Sequence, residues 1–217
     1  MAPRLVEVRQ NILKHNDVVA RALRARFDAN HVRVISLVSS PGSGKTMLLE
    51  RLLSILHKRH RVAALVGDLA TENDAARLAR SGAAVRQITT GTICHLEAAM
   101  VEQALDGWAL DQLDFLFLEN VGNLVCPASY DLGEHLRCVI LSVTEGEDKP
   151  LKYPTIFNTA DVAVITKIDL ASAVEFDRAG LERNIHTVRP GMRTLAVSAK
   201  TGEGMGELVA FLEHGTA

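Results

Sequence analysis

Ser39-Ser40-Pro41-Gly42-Ser43-Gly44-Lys45-Thr46 follows a run of apolar strand formers (Val32, Val34, Ile35, Leu37, Val38). It precedes an apolar stretch at helical spacing (Met47, Leu48, Leu49, Leu52, Leu53, Leu56). Strand, glycine-bearing turn and helix in that order are the context of a phosphate-binding loop. Glycines let backbone N–H groups converge on phosphate oxygens, and the following helix N-terminus adds positive potential. Pro41, Gly42, Ser43, Gly44, Lys45, Thr46 and Met47 are therefore candidate nucleotide contacts. Lys45 would reach the β- and γ-phosphates, and the Thr46 hydroxyl would face Mg²⁺. One position departs from the usual G-x-x-x-x-G-K-[ST] pattern: Ser39 stands where the first glycine is expected.

Working outward, strand and helix signals alternate. Strands are expected over 33–38, 62–66, 85–89, 114–118, 137–143, 162–166 and 193–197. Helices are expected over 45–57, 72–80, 95–105, 174–187 and 205–213. This alternation implies an α/β fold, a mostly parallel central sheet with helices on both faces: the three-layer P-loop NTPase sandwich. Residues 4–28 form an additional amphipathic helix, with Leu5, Val8, Ile12, Val19, Leu23 and Phe27 on one stripe. Asn16 interrupts that stripe and needs a hydrogen-bond partner if buried. The helix either packs on its own domain or serves as a docking arm. The expected organisation is an N-terminal helical arm over 1–30 and a P-loop GTPase domain over 31–217. Loops are expected at 122–133 and 145–154, where Pro and Gly cluster.

The 217 residues suffice for one α/β domain, and 47% hydrophobic content supports a sizeable core. A formal net charge of −2 and 4% aromatic residues argue against a nucleic-acid partner. The N-terminus shows no signal-peptide apolar core, and no apolar run approaches the roughly 20 residues that span a bilayer. A cytoplasmic protein with no membrane partner is expected. Its three cysteines then point to thiols or metal ligands rather than disulfides.

Two later segments select the nucleotide. Val162 to Thr166 is a buried strand running into Lys167-Ile168-Asp169. Small GTPases end the corresponding strand in Asn-Lys-x-Asp. The Asp carboxylate accepts hydrogen bonds from N1 and N2 of guanine, a donor pair adenine lacks. Asp169 would thus select GTP, and the Lys167 stem would lie along the base. Thr166 replaces the usual Asn. Val197-Ser198-Ala199-Lys200 resembles the Ser-Ala-Lys loop that meets the guanine O6.

The Mg²⁺ and hydrolysis side falls at two other strand ends. Asp68 follows Val62–Val66, where ligands gather in open α/β sheets. It is expected to bind Mg²⁺ or orient water, while Thr71 caps the next helix. Glu119 ends the Phe115–Leu118 strand, placed for Mg²⁺ or its bound water. Gly122 would let the backbone approach the γ-phosphate. Lys45, Asp68, Glu119 and Gly122 are the candidate catalytic residues, and Thr46, Asp68 and Glu119 the candidate Mg²⁺ ligands. Hydrolysis would be in-line water attack. No glutamine is evident to orient water, so slow intrinsic turnover is expected.

A second chemistry is carried by Cys94, His95 and Cys126. Cys94-His95 precedes an apolar helix, and a helix N-terminus favours thiolate. Cys126 comes three residues after Asn123, on the segment that carries Glu119 and Gly122. Thiolate plus imidazole suits Zn²⁺ or Ni²⁺. A buried free Cys beside a surface His is the plain alternative. Three protein ligands leave a tetrahedral site incomplete, so water or a second protomer would finish it. Cys138, in an apolar strand, reads as structural.

With these residues in hand, the chain resembles the hydrogenase nickel-incorporation GTPases, the HypB family. The resemblance runs to about residue 213. It rests on Ser39–Thr46, Gly-Asp-x-x-Thr-x-x-Asp-Ala-x-Arg (67–77) and Thr-Gly-x-x-Cys-His-Leu (90–96). Glu-Asn-Val-Gly-Asn-Leu-Val-Cys-Pro (119–127) and Thr-Glu-Gly-Glu-Asp-Lys-Pro-Leu-Lys-Tyr-Pro (144–154) complete it. In that family Ser in place of the first P-loop glycine is ordinary. The resemblance implies a GTP-dependent metallochaperone delivering nickel to the [NiFe] hydrogenase large-subunit precursor. It implies a nucleotide- or metal-linked homodimer with Zn²⁺ or Ni²⁺ on Cys94, His95 and Cys126. It also implies a HypA-type partner, for which residues 4–28 are a plausible docking element. No N-terminal Cys-rich motif or His-rich tract is present; the eight histidines are scattered. Lys149 is expected to touch nucleotide or the facing subunit, or else to be a solvated loop lysine. Urease- and cobalamin-type GTPases are alternatives, as is a zinc scaffold in which GTP only holds the dimer. The urease type would show Cys-Pro-His at Cys94, and the cobalamin type does not explain Cys126.

Overall fold

The computed structural model describes the backbone of residues 4–69 and 73–215 and the side chains from residue 11 onward, Asn73 apart. The expected cap at Thr71 and the stripe positions Leu5 and Val8 lie outside these described side chains. The apolar runs form β1 (Arg33–Ser39), β2 (Val62–Asp68), β3 (Ala84–Thr89), β4 (Phe115–Glu119), β5 (Leu136–Ser142), β6 (Val162–Thr166) and β7 (Arg193–Ala196). All pairings are parallel, in the order β3-β2-β4-β1-β5-β6-β7. The central strands β1, β2, β4, β5 and β6 are buried on both faces, or nearly so, which is why they read as continuous apolar runs rather than alternating ones.

The helices are α1 (Arg4–Ala29), α2 (Lys45–Leu56), α3 (Asn73–Ala79), α4 (Ala98–Ala104), α5 (Lys149–Lys152), α6 (Pro154–Thr159), α7 (Arg178–Val188) and α8 (Met205–His214). One face of the sheet is covered by α2, α3 and α8, with Leu48, Leu52, Leu78, Leu208 and Leu212 against Ile35, Cys138 and Ile140. The other face carries two cores. Leu23 and Phe27 of α1 meet Val101 of α4 over Leu65 and Leu116. Phe157 of α6 and Ile185 of α7 pack over Val139 and Leu141. Among the described residues no helix is long and apolar enough to cross a membrane.

Asn16 of α1 is buried and engaged at both ends of its carboxamide. Its Nδ2 donates to the Asp131 carbonyl (2.8 Å) and its Oδ1 accepts from the Ala98 amide (2.9 Å). On the same helix Ile12 is exposed.

Three expected elements differ. The helix expected over 95–105 begins only at Ala98, with Glu97 extended at its N-cap. Cys94 therefore lies four positions before a seven-residue helix, and the dipole argument for its thiolate does not hold. The loop at 145–154 contains α5, and α6 follows directly. Pro150 and Pro154 occupy the first turns of these helices, where a missing N–H costs nothing. The helix expected from 174 starts at Arg178. Asp177 caps it by accepting from the Gly180 amide (2.9 Å), and Glu175 just before it has a positive φ of 52°.

Candidate nucleotide and metal site

β1 is the central strand where the strand order reverses, with β4 on one side and β5 on the other. Ligands gather in the crevice beyond such a switch point. The loop leaving β1 enters it. Gly42 and Gly44 have φ of 76° and 89°, a region open to glycine at no steric cost, and Gly44 is the N-cap of α2. Ser39 has no positive φ and is fully buried, so its place in the pattern does not require glycine. The Ser40 and Ser43 hydroxyls are buried without hydrogen-bond partners among the described residues.

On one side of this loop stands the end of β6. The Thr166 hydroxyl is shared between the Ser43 carbonyl (2.6 Å) and the Leu141 carbonyl (3.0 Å). Threonine here ties the phosphate loop to the sheet. Lys167, at a left-handed φ of 59°, donates from Nζ to the Gly42 carbonyl (2.7 Å), and its stem crosses above Gly44. Asp169 accepts from the Ser198 hydroxyl (2.7 Å). A cavity of about 190 Å³ is lined by Gly44, Met47, Lys167, Asp169, Ala199 and Lys200. The base-selecting candidates thus line one cavity or, as with Ser198, brace its wall.

On the other side stands the end of β4. The Thr46 hydroxyl donates to Glu119 Oε1 (2.6 Å), and Lys45 Nζ lies 3.2 Å from the same oxygen. Glu119 is about 1% exposed, and its Oε2 has no hydrogen-bond partner among the described residues. A buried carboxylate oxygen left without a donor is costly unless a cation or water completes it. Asp68 ends β2, two residues beyond Val66, which is Glu119's partner across the β2–β4 pair. Its Oδ1 accepts from the Leu69 amide (2.7 Å). Gly122 passes so close to the phosphate loop that a Cβ would lie 3.0 Å from Pro41 Cα and 3.1 Å from Pro41 N.

The continuation of that segment reaches the thiols. Cys94, His95 and Cys126 offer ligand atoms all within 4.8 Å of one another, and Cys94 Sγ to Cys126 Sγ is 3.0 Å. Both thiols are half-buried, whereas Cys138 is buried in the core and its thiol is pushed up by burial. Neither His95 ring nitrogen has a hydrogen-bond partner among the described residues, although Nε2 is 3.5 Å from Glu97 Oε1. Burial lowers the His95 pKa, against an opposing pull from Glu97. Burial thus favours the neutral imidazole, the form that ligates metal. Its ring leans on Tyr130, centroids 4.0 Å apart.

Several contributors are not legible as site residues in sequence. Tyr130 and Glu97 flank His95, and Asn120 and Asn123 join the two segments that carry the thiols. Lys149 lies 4.0 Å from Glu145 and over the Tyr153 ring at 5.5 Å, contacts within its own segment.

The CobW/HypB/UreG nucleotide-binding domain family matches residues 33–196. Hydrogenase maturation factor HypB of Azotobacter vinelandii is 49% identical over 213 residues, covering 97% of this chain and 70% of that protein. The chain belongs to the HypB family. Two solved HypB structures are similar to it over most of its length. That of HypB from Helicobacter pylori in complex with nickel superposes with a TM-score of 0.87 at 41% identity, over 92% of this chain and 94% of that one. HypB from Archaeoglobus fulgidus gives a TM-score of 0.85 at 36% identity, over 92% and 98%. Family membership carries the P-loop GTPase architecture described above.

Proposed function

We propose that this chain is a GTP-hydrolysing nickel chaperone of hydrogenase maturation, whose metal site responds to the nucleotide. The observation that carries this reading is one continuous segment, Glu119 to Cys126. It begins at Thr46 and Lys45 (2.6 and 3.2 Å), passes over Pro41 at Gly122, and ends at a thiol 3.0 Å from Cys94. A nucleotide-driven movement of this segment would carry a metal ligand with it.

The phosphate loop and Lys45 would bind the GTP phosphates, and Asp169 with Ser198 and Lys200 would recognise guanine. Thr46, Glu119 and Asp68 would hold Mg²⁺, a fit supported by the partnerless buried oxygen of Glu119. When bound, Mg²⁺ neutralises charge on the phosphates. Lys45 and the loop amides would stabilise the charge that builds during in-line attack by water. With no glutamine evident in the sequence to orient that water, intrinsic turnover should be slow.

Cys94, His95 and Cys126 would receive Ni²⁺ as cargo, with Zn²⁺ as a competing occupant of the same donors. Three protein ligands leave positions open, suited to a metal that must leave again or to completion by a second protomer. A homodimer, a HypA-type partner and the hydrogenase large-subunit precursor fit this role, as does a cytoplasmic location. The nickel complex of the Helicobacter pylori relative supports the assignment.

The test is a Ni²⁺ titration of the purified protein bound to GDP and to a non-hydrolysable GTP analogue, with protomer mass followed in parallel. A nucleotide-dependent shift in affinity or stoichiometry, abolished in Cys126→Ala, is expected. Identical binding in both states would instead make the site a passive zinc or nickel scaffold.

A further inference from the structure

Asn120 is the residue after Glu119, and it is about 1% exposed. Its backbone amide donates to the Leu37 carbonyl (3.0 Å), which fixes it to β1 just before the phosphate loop. Its side-chain oxygen does something different. Oδ1 accepts from the amide of Val121 (2.9 Å) and from the amide of Leu96 (3.0 Å), the latter 24 residues away in sequence. Leu96 follows Cys94 and His95 directly and is fully buried. Its side chain is wedged over Gly67, where a Cβ would come within 2.7 Å of Leu96 Cδ2. The segment carrying Cys94 and His95 therefore hangs from two strand ends at the proposed nucleotide crevice, β2 through Gly67 and β4 through Asn120. Asn123 adds a weaker tie, Nδ2 to the Cys94 carbonyl at 3.3 Å.

We infer that Asn120 is the positioning residue that couples the two sites: its carboxamide transmits movement of Glu119–Gly122 to Cys94 and His95. The inference rests on the nucleotide-responsive metal site proposed above. The physical basis is that one acceptor oxygen serves both segments. A shift of Val121 relative to β4 reorients the carboxamide, and the Leu96 amide must follow it or lose its partner. A buried amide without an acceptor is costly, so the Leu96 segment moves with the switch instead of staying behind. The wedge over Gly67 gives that movement a fixed pivot. Asn120 itself supplies neither a phosphate contact nor a metal donor, so removing its side chain should uncouple the sites without dismantling either.

The experiment compares the full chain with Asn120→Ala and Asn120→Asp, the second retaining the acceptor oxygen. Nickel Kd is measured with GDP and with a non-hydrolysable GTP analogue, and hydrogen exchange is followed at the Leu96 amide. The native protein should change its nickel Kd by about 5-fold or more between states, the low end of ordinary coupling. Asn120→Ala should bring that ratio near unity while retaining GTP affinity and GDP-state nickel binding. Asn120→Asp should restore the ratio. Leu96 exchange should differ between nucleotide states in the native protein and become equal in Asn120→Ala. A ratio that survives in Asn120→Ala overturns the inference and leaves the proposed function standing. If Asn120→Ala fails to fold, the native protein still decides, because equal Leu96 protection in both states overturns the inference. A native protein with state-dependent Leu96 protection but constant nickel Kd retains the tie and refutes the nucleotide-responsive metal site instead.

Discussion

Gly122→Ala tests the claim that the segment after β4 reads the phosphate loop by direct contact. Gly122 has no positive φ, so alanine introduces no backbone strain of its own. Its effect is steric. The new Cβ would lie 3.0 Å from Pro41 Cα and 3.1 Å from Pro41 N, against 3.4–4 Å for ordinary contact. Both obstructing atoms are main chain and cannot rotate away, so one loop must give by a few tenths of an ångström. Overpacking of this kind costs about 1–3 kcal/mol in stability. Misplacement of reacting groups by about 1 Å costs on the order of 100-fold in rate, so a shift of a few tenths of that should slow hydrolysis by roughly 3- to 10-fold. The assay is single-turnover GTP hydrolysis with nucleotide affinity measured in parallel. Gly206→Ala is the control. A Cβ at that position of α8 would meet no heavy atom within 4 Å, so neutrality or a gain of up to about 1 kcal/mol is expected. A Gly122→Ala rate within about two-fold of the native protein would refute the contact argument.

Four further outcomes follow from the geometry. Thr166→Val removes the hydroxyl shared by Ser43 and Leu141; losing it should cost about 1–2 kcal/mol, read as weaker nucleotide binding in equilibrium titration. Asp169→Asn exchanges an acceptor for a donor–acceptor pair and should lower GTP affinity by roughly 30-fold or more while admitting a xanthine nucleotide, and unchanged GTP binding would remove Asp169 from base recognition. Cys94→Ala or Cys126→Ala should abolish tight Ni²⁺ binding by calorimetry and leave GTP affinity intact, whereas Cys138→Ala should leave both sites working. At Asp131, burial alone would raise the carboxyl pKa, but the Gly133 amide and Arg24 outweigh it and hold it below its ordinary value. Its stabilising contribution is therefore full above the unfolded carboxyl range and lost as pH falls through the depressed folded pKa; α1 should gain hydrogen exchange in that acid window, and Asp131→Asn should lose the step.

The sequence carries the strands and the nucleotide loops because those signals are local. Val162–Thr166 and Phe115–Glu119 are buried on both faces, so burial writes itself as an apolar run. The phosphate loop announces itself through glycines whose positive φ follows from the turn they make. What stayed hidden depends on contacts between distant segments. His95–Glu97 carry a helical pattern, yet Leu96 is held out of α4 by Asn120 and by its fit over Gly67. Prolines 150 and 154 look like helix breakers and act as helix starters. Cys94 follows β3 and Cys126, 32 residues on, follows β4, so their proximity becomes a distance only when the two loops meet beyond β2 in the order β3-β2-β4. Asn120 stands within the 119–127 motif, but its role shows only once the two amides that donate to its buried carboxamide are known.

The reversal of strand order at β1 has a consequence for how this protein can be rebuilt. The proposed base-reading groups follow β6 and β7, and the thiols and imidazole follow β3 and β4. The central strand and its loop form the covalent element that both halves of the crevice share. Vocabulary and payload are thus separable: a changed base preference at Asp169 leaves the metal-side contacts untouched. Such a variant would be an orthogonal chaperone, commanded in a mixed population by a nucleotide its native siblings ignore.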